Sequence, residues 1–501
     1  MPINALLREQ QNLRPPTAVE VFSDWHSGAS SCHSGKVYAD LIPTGLPGVG
    51  EQFGFEVNLD ACTGCKACVA ACHSLNGLDE GEAWRDIGQL VGEATSGAPW
   101  QQTVTTACHH CVEPACLEGC PMLAYEKDPV TGIVRHLDDQ CIGCQYCALK
   151  CPYGVPKYNA RLGIVRKCDM CHQRLKVGES PACVQACPNG AIAIRIVKKA
   201  DALVRTEPVI EGAVGSDYTK PVTLFVSAKP RPAQAAAPDA CVAKVEHGHW
   251  PLVVMLVLTQ LSAGAAVAHV FAPSKALATT AAVVGIVGIH ASVLHLGQPL
   301  KAWKAVLGWR TSWLSREVMA FGAFAGALSA LAACAWLPML APLAHQAALG
   351  SAGAGILGVF CSVMVYADTR REGWAFRWTM TRFGGTAVVL GMALVAALAG
   401  GGPALRLAAA GLVLLKLAAE WRMLAHFLRG AAAGSNHLTA LATRGPLKQW
   451  FGARAVVGLA GALSMLCAPW LGLVLLVVAE GLERTLFFMA QHAPRMPGVK
   501  G

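Results

Sequence analysis

The pattern of hydrophobic positions changes character near residue 250. Beyond it come eight apolar runs, at about 251–271, 276–296, 318–339, 347–367, 385–400, 404–427, 451–469 and 470–490. Most reach the ~20 residues a helix needs to cross the hydrocarbon core of a bilayer, and no soluble domain contains eight such runs. The fifth is short, and only Pro469-Trp470 divides the last two. Before residue 250 the apolar residues fall in short stretches between cysteines. Gly132-Ile-Val-Arg135 and Ala191-Ile-Ala-Ile-Arg-Ile-Val197 predict strands, and Asp128-Pro-Val-Thr-Gly132 predicts a turn. Residues 227–240, SAKPRPAQAAAPDA, are poor in large apolar side chains and predict a linker.

Composition sharpens this division. The 501 residues are 53% hydrophobic and 15% charged. Residues 1–250 carry 22 Lys+Arg against 26 Asp+Glu, whereas residues 251–501 carry 19 against 6. A single globular enzyme and a simple transporter are thereby excluded. The overall charge of +9 does not indicate nucleic-acid binding, because its excess lies between apolar segments rather than on a basic patch. The N-terminal stretch MPINALLREQQNLRPPTAVEVF has no apolar run of signal-peptide length and no adjacent arginine pair, so no export of the first half is expected from it.

Sixteen cysteines fall into four groups at metal-ligand spacing. The first, Cys62, Cys65, Cys68 and Cys72, reads C-x2-C-x2-C-x3-C, and Cys141, Cys144, Cys147 and Cys151 repeat it. Cys108, Cys111, Cys116 and Cys120 widen the middle gap to four residues, and Cys168, Cys171, Cys183 and Cys187 widen it to eleven. Thiolates close in sequence wrap one face of an iron–sulfur cube, while the cysteine three residues later ligates a second cube. Pro121, Pro152 and Pro188 follow the last cysteine of three groups, which completes the ferredoxin ending. Zinc prefers isolated C-x2-C hooks and has no use for three hooks plus one. Four 4Fe–4S clusters are therefore predicted. The leftover cysteines Cys32, Cys241, Cys334, Cys361 and Cys467 read as small apolar or incidental thiols, and Cys32-His33 as an incidental pair. With so little ordinary core, the clusters should organise this half. Trp84 and Tyr146 read as packing around the cubes rather than as electron relays.

Residues 55–200 resemble the four-cluster ferredoxin subunits of the dimethyl sulfoxide reductase family of molybdenum enzymes. The second half resembles the anchor subunit of the same family, through His295-Leu-Gly-Gln-Pro299, Thr311-Ser-Trp-Leu-Ser-Arg-Glu317 and Tyr366-Ala-Asp-Thr369. The resemblance implies that the groups pair by internal pseudo-symmetry, first with fourth and second with third. One cluster is then held by Cys62, Cys65, Cys68 and Cys187, and its neighbour by Cys168, Cys171, Cys183 and Cys72. The inner two use Cys141, Cys144, Cys147 with Cys120, and Cys108, Cys111, Cys116 with Cys151. It further implies a molybdopterin-containing catalytic partner, exchange of electrons with membrane menaquinone or ubiquinone, no haem in the anchor, and a role in anaerobic respiration. The chain itself has no identifiable pterin domain or substrate pocket, so it reads as a non-catalytic subunit.

The expected fold is an α+β four-cluster ferredoxin-like domain joined to an all-α polytopic membrane domain of about eight transmembrane helices. Its parts are an N-terminal extension (1–54), the cluster domain (55–226), a Pro/Ala-rich linker (227–247), the quinone-interacting anchor (248–492) and a tail (493–501). With eight spans, both ends and the even-numbered loops share one side. That side carries fourteen Lys and Arg: Lys301, Lys304, Arg310 and Arg316; Arg370, Arg371, Arg377 and Arg382; Arg429, Arg444, Lys448 and Arg454; Arg495 and Lys500. The other has Lys275 and Arg406. Positive loops stay inside, so the iron–sulfur half is expected on the cytoplasmic face of a bacterial inner membrane, whereas the best-known relatives are separate chains that face the periplasm.

A quinone site needs a hydrogen-bonding group at each carbonyl and a proton route. His295 and Glu317 at helix ends, with Arg316 holding Glu317 or a quinone oxygen, are the expected contacts; His290, five residues before His295, reads as structural. Lys416 and Glu420 read equally as a functional pair and as an i,i+4 ion pair that lets the helix insert, and for Glu480, Glu483 and Arg484 the ion pair is favoured. Dimethyl sulfoxide reductase-type complexes oxidise quinol and reduce an S- or N-oxide. The alternative is a cytoplasm-facing sulfite dehydrogenase-type complex that delivers electrons to quinone. A cytochrome-b-type anchor, with His295 and His426 as haem ligands, and an ion-translocating module are lesser readings.

Overall fold

The computed structural model describes residues 39–499 apart from 95, 233 and 399–401; Cys32 and His33 lie outside the described residues. In the first half, a three-stranded sheet is built on β1 (Glu51–Asn58). β1 pairs antiparallel with β8 (Ile192–Lys198) and parallel with β9 (Leu224–Val226). Phe53, Phe55 and Val57 alternate into the core and meet Ile192 and Ile194 across the pair, the period-2 pattern of a sheet with one packed face. Three hairpins complete the β structure: β2 (Asp86–Glu93) with β3 (Pro99–Thr106), β4 (Tyr125–Lys127) with β5 (Val134–His136), and β6 (Lys157–Asn159) with β7 (Ile164–Arg166). Both predicted strands are present, and the turn at 128–132 joins β4 to β5 with Gly132 at φ +69°. The helices here are short: α1 (Ala67–Asn76), α2 (Ala115–Glu118), α3 (Tyr146–Lys150), α4 (His172–Lys176), α5 (Ala182–Gln185) and α6 (Lys199–Val204). Most are one or two turns long, as expected where cysteine loops rather than helix packing set the shape.

The second half contains eight long helices: α7 (Trp250–Phe271), α8 (Lys275–Ala291), α9 (Trp313–Trp336), α10 (Ala344–Ala367), α11 (Phe376–Leu398), α12 (Pro403–Leu428), α14 (Lys448–Cys467) and α15 (Pro469–Met489). Between α12 and α14 lies a short amphipathic helix, α13 (Ser435–Arg444). By length and apolarity alone six segments qualify as spans. The other two are α12, with Arg406, Lys416, Glu420 and Arg422, and α15, with Glu480, Glu483 and Arg484. Their charge has a structural explanation. Glu480 accepts from Lys416 and from Arg454, whose Nη2 lies 2.9 Å away; Arg454 also holds Glu420 at 3.0 Å, and Lys416 lies 3.4 Å from Glu420. Glu483 pairs with Arg382 and with Arg484. All seven side chains are buried or nearly so, and each carboxylate has at least two cationic neighbours, which is what makes ions tolerable in a bundle interior. Large apolar side chains such as Val283, Leu407, Val456 and Val474 face outward, where lipid would cover them.

Several expectations need correction. The fifth span is a full 23 residues, because it begins at Phe376 and takes Arg377 and Arg382 into the helix. Arg382 and Arg454 are thus helix residues committed to the buried network and not loop charges. The even-numbered loops and the C-terminal segment do lie on the iron–sulfur side: Lys301 Nζ donates to Asp139 O (2.7 Å), Arg371 Nε to Leu149 O (3.2 Å), and Met496 is buried in the core of the iron–sulfur half. The segment expected to be a free linker is fastened to that half. Val91 and Ala236 exchange backbone hydrogen bonds (2.9 and 3.0 Å), and Arg231 pairs with Glu211 (3.0 Å).

Candidate functional site

The repeated cysteine motif forces a particular backbone. Gly64 and Gly143, each just before the second cysteine of its group, have φ +72° and +68°, and Lys66 and Gln145, each just after it, have φ 64° and 60°. Alternating left-handed residues curl the loop and turn consecutive N–H groups inward. Several N–H groups donate to sulfur: Gly143 to Cys141 (3.3 Å), Ala124 to Cys120 (3.2 Å) and Ala191 to Cys187 (3.2 Å).

The loops bring the cysteines together in the four sets that the pseudo-symmetry implies. Cys62, Cys65, Cys68 and Cys187 line one concavity, and Cys108, Cys111, Cys116 and Cys151 line another. Cys72 lies beside Cys171 and Cys183, with Cys168 close by, and Cys120 beside Cys141, Cys144 and Cys147. Among the described residues no three His, Cys, Asp or Glu groups converge as around a single ion, so these sets surround something larger, which fits a cube. Burial, with Cys183 adding, pushes the Cys72 thiol up to about 12, and burial raises Cys120 to about 11. Unpartnered thiolates are unfavourable here, and a bound cationic centre removes that difficulty.

Two buried cations escaped the sequence reading. Arg85 lies among Cys68, Cys72, Cys168 and Cys183. Lys167 Nζ sits 3.6 Å from Cys108 Sγ and donates to the carbonyls of Val134 (2.5 Å) and Cys168 (2.7 Å). Each places a positive charge next to thiolates. The only signal in the sequence was Lys167 adjoining Cys168. Trp84 packs under Arg166, with 5.1 Å from guanidinium to ring centroid, and so is a packing residue.

The three anchor motifs prove to be docking elements. In His295–Pro299, Gly297 approaches Gly163 so closely that a Cβ on Gly297 would lie 2.0 Å from the Gly163 carbonyl oxygen, and Gln298 N donates to Ile142 O (3.1 Å). In Thr311–Glu317, Ser312 caps α9 and donates to Gly119 O (2.7 Å). In Tyr366–Thr369, Asp368 accepts from Lys150 Nζ (2.5 Å) and lies 3.4 Å from Tyr146 OH, which also donates to Val365 O (3.0 Å). Tyr146 therefore packs and docks at once.

Under this seam lies a cavity of about 570 Å³, within the range of small-molecule sites. Cys144, Tyr146 and Leu149 form its roof, and Leu252, Met255, Phe321 and Phe488 much of its apolar wall. Its polar groups are His249, His290, His295, Glu317, Tyr366 and Arg371. His295 Nε2 lies 3.3 Å from Cys144 O, which puts the cavity against the third cysteine group. Glu317 is buried and accepts from Ser362 Oγ.

Two of the three expected contacts thus line the cavity, and the third does not. Arg316 donates to the carbonyls of Trp309 (3.0 Å) and Arg310 (2.6 Å) and stacks over Trp313 at 4.4 Å, on the outside of α9. Neighbouring helix positions are ~100° apart, so 316 and 317 cannot share a face. His290, expected to be structural, borders the same cavity while its Nδ1 lies 2.8 Å from Ile286 O; the change from α-helix to a 3-10 turn at Ser292–His295 alters the register between the two histidines. His426 packs on Trp378 at 5.5 Å, whereas His295 packs on His249 at 5.3 Å.

Comparison with known proteins adds an independent line. Residues 100–196 match the model of a 4Fe-4S dicluster domain, and residues 245–404 match that of the DMSO reductase anchor subunit (DmsC). Over 179 residues the sequence is 35% identical to the iron–sulfur-type B subunit of anaerobic dimethyl sulfoxide reductase from Haemophilus influenzae, covering 34% of this sequence and 87% of that protein. Identity is 39% over 149 residues to the corresponding subunit of Escherichia coli strain K12, covering 28% and 72%. It is 33% over 156 residues to the iron-sulfur subunit of nitrate-inducible formate dehydrogenase from the same strain, covering 27% and 51%.

Proposed function

Because this protein belongs to the dimethyl sulfoxide reductase family, as a fusion of its iron–sulfur and membrane-anchor parts, we propose that it links a molybdopterin catalytic subunit to the membrane quinone pool. It is an electron-transfer and membrane-anchoring subunit, and the substrate chemistry belongs to its partner. Four 4Fe–4S clusters, held by the sixteen cysteines in the sets described above, supply one-electron transfer through the domain when bound.

One observation carries the reading: the cavity inside the anchor has Cys144 in its roof and His295 and Glu317 in its walls. An apolar chamber with a few polar groups suits a quinone ring, whose two carbonyls need hydrogen bonds. His295 and Glu317 offer those bonds, and the seam of Tyr146, Lys150 and Asp368 keeps the third cysteine group over the chamber. The bound substrate is menaquinone or ubiquinone, and the anchor carries no haem. Purification in mild detergent should yield a large molybdenum-containing partner, about 16 iron atoms per chain and no Soret band. Iron without molybdenum or a partner would overturn this assignment.

The basic loops gathered on the iron–sulfur side favour a cytoplasmic location for that half, at the inner membrane of a bacterium. That placement supports a second reading, in which electrons flow from a sulfite dehydrogenase-type partner into quinone rather than from quinol towards an S- or N-oxide. Exposed Cys241 and Cys467 lie on opposite sides of the bundle. An impermeant maleimide applied to right-side-out vesicles should label Cys467 and reach Cys241 only after lysis; the opposite pattern removes the cytoplasmic assignment. Clusters that all titrate well below the quinone couple would select flow into quinone.

A further inference from the structure

The segment that leads into α7 contains Glu246-His247-Gly248-His249, a pair of histidines to which neither the sequence reading nor the family resemblance gives a role. His247 is exposed at the cavity mouth, beside the Glu246–Arg495 ion pair (2.5 Å). Its ring centroid lies 4.8 Å from that of His249, which lies 5.3 Å from that of His295. All three line the cavity. The backbone N–H of His249 donates to His247 Nδ1 (3.1 Å), so neutral His247 carries its proton on Nε2. His249 adopts φ +43°, an uncommon conformation for a residue with a Cβ, and this aims the turn into the chamber. The histidines are no metal site, since no three such groups among the described residues converge on an ion.

We propose that His247 and His249 form the proton conduit between bulk water and the quinone cavity, with His249 exchanging protons with the bound quinone or quinol. The inference rests on the quinone reading given above. Oxidation of one quinol breaks two O–H bonds, passes two electrons to the iron–sulfur domain and on to the molybdenum partner's oxidised substrate, and releases two protons. Quinone reduction takes up two electrons and two protons in the reverse sense. In either direction the protons cross a chamber otherwise walled by apolar side chains and roofed by the iron–sulfur domain. An imidazole accepts a proton on one nitrogen and gives one from the other, which suits it to this transfer. Burial, then His295, His247 and Arg371, hold His249 down to about 4, so it rests neutral and does not retain a proton it accepts. The other charged or titratable groups around the cavity are Glu246, Arg495, Lys157, His290, Glu317 and Tyr366. His295 sits on the Cys144 carbonyl and serves as a wall of the route, not as its carrier.

The test uses the complete complex in detergent, with anaerobic menadiol as reductant and menadione as ligand. In His249→Ala, cluster reduction by menadiol should slow by about tenfold or more and recover on addition of imidazole, with menadione affinity unchanged. His249→Gln fills the space without carrying protons, so it should be equally slow and not rescued. His247→Ala should show a smaller loss of the same kind. Unchanged rates in the His249 variants overturn the proposal, as does a loss that imidazole fails to restore while menadione binding weakens in parallel. Failure of the unmodified complex to bind menadione overturns the quinone reading itself, and the conduit with it.

Discussion

Each half of the molecule buries polar groups that would be costly alone, and the two halves resolve this in opposite ways. In the membrane half Lys416, Arg454, Arg382 and Arg484 face Glu420, Glu480 and Glu483, so the charges compensate one another within the chain. In the iron–sulfur half sixteen thiols crowd into four sets, and burial pushes most of them above their ordinary range. Nothing in the described residues neutralises four thiolates per set, although Arg85 and Lys167 each contribute one charge. One half is therefore complete as a polypeptide, and the other requires what it binds.

The sharpest way to break this comparison is to remove a thiol. Cys147→Ser should abolish one cluster and, because neighbouring sets share loops, destabilise the whole first half while α7–α15 still fold. Iron content, cluster spectra and proteolysis of the purified complex would show it. Next in size, Glu480→Leu strands Lys416 and Arg454 in the bundle, at a cost of about 3–5 kcal/mol in the membrane half; thermal unfolding in detergent should fall sharply while the iron content holds. Across the seam, Lys150→Met removes a buried partner of Asp368 and should weaken docking by about 2 kcal/mol, read as faster proteolysis of the 227–247 segment. Smallest of all, Arg316→Ala should leave quinone reactions unchanged and alter stability by less than about 0.5 kcal/mol, since its side chain touches only exposed carbonyls and Trp313.

How much of this was legible in the sequence follows the same division. Cysteine spacing is a local property that records the chemistry of a cube, and the sets implied by the family resemblance are the sets the loops assemble. Apolar runs likewise located the helices. The boundaries of α11 and α14 were missed because Arg382 and Arg454 look like loop charges until their partners on other helices are visible. The docking role of Gly297 depends on Gly163, 134 positions away in the chain and invisible to any local pattern. The assignment of Arg316 failed for a plainer reason. It treated adjacent helix positions as though they shared a face, and helical geometry alone would have excluded that. His247 and His249 gave no periodic or motif signal, and only the fold brings them to the cavity.

The central claim is that electrons pass between the third cysteine group and a quinone held by Glu317 and His295. Its most direct test is to reduce the clusters of the purified complex with dithionite, remove the excess, and mix anaerobically with menadione while following cluster absorbance. The account predicts rapid reoxidation by menadione, slowed about tenfold or more in Glu317→Gln with cluster content and spectra unchanged. Clusters that stay reduced in the unmodified complex, or reoxidation equally fast in the variant, would contradict it.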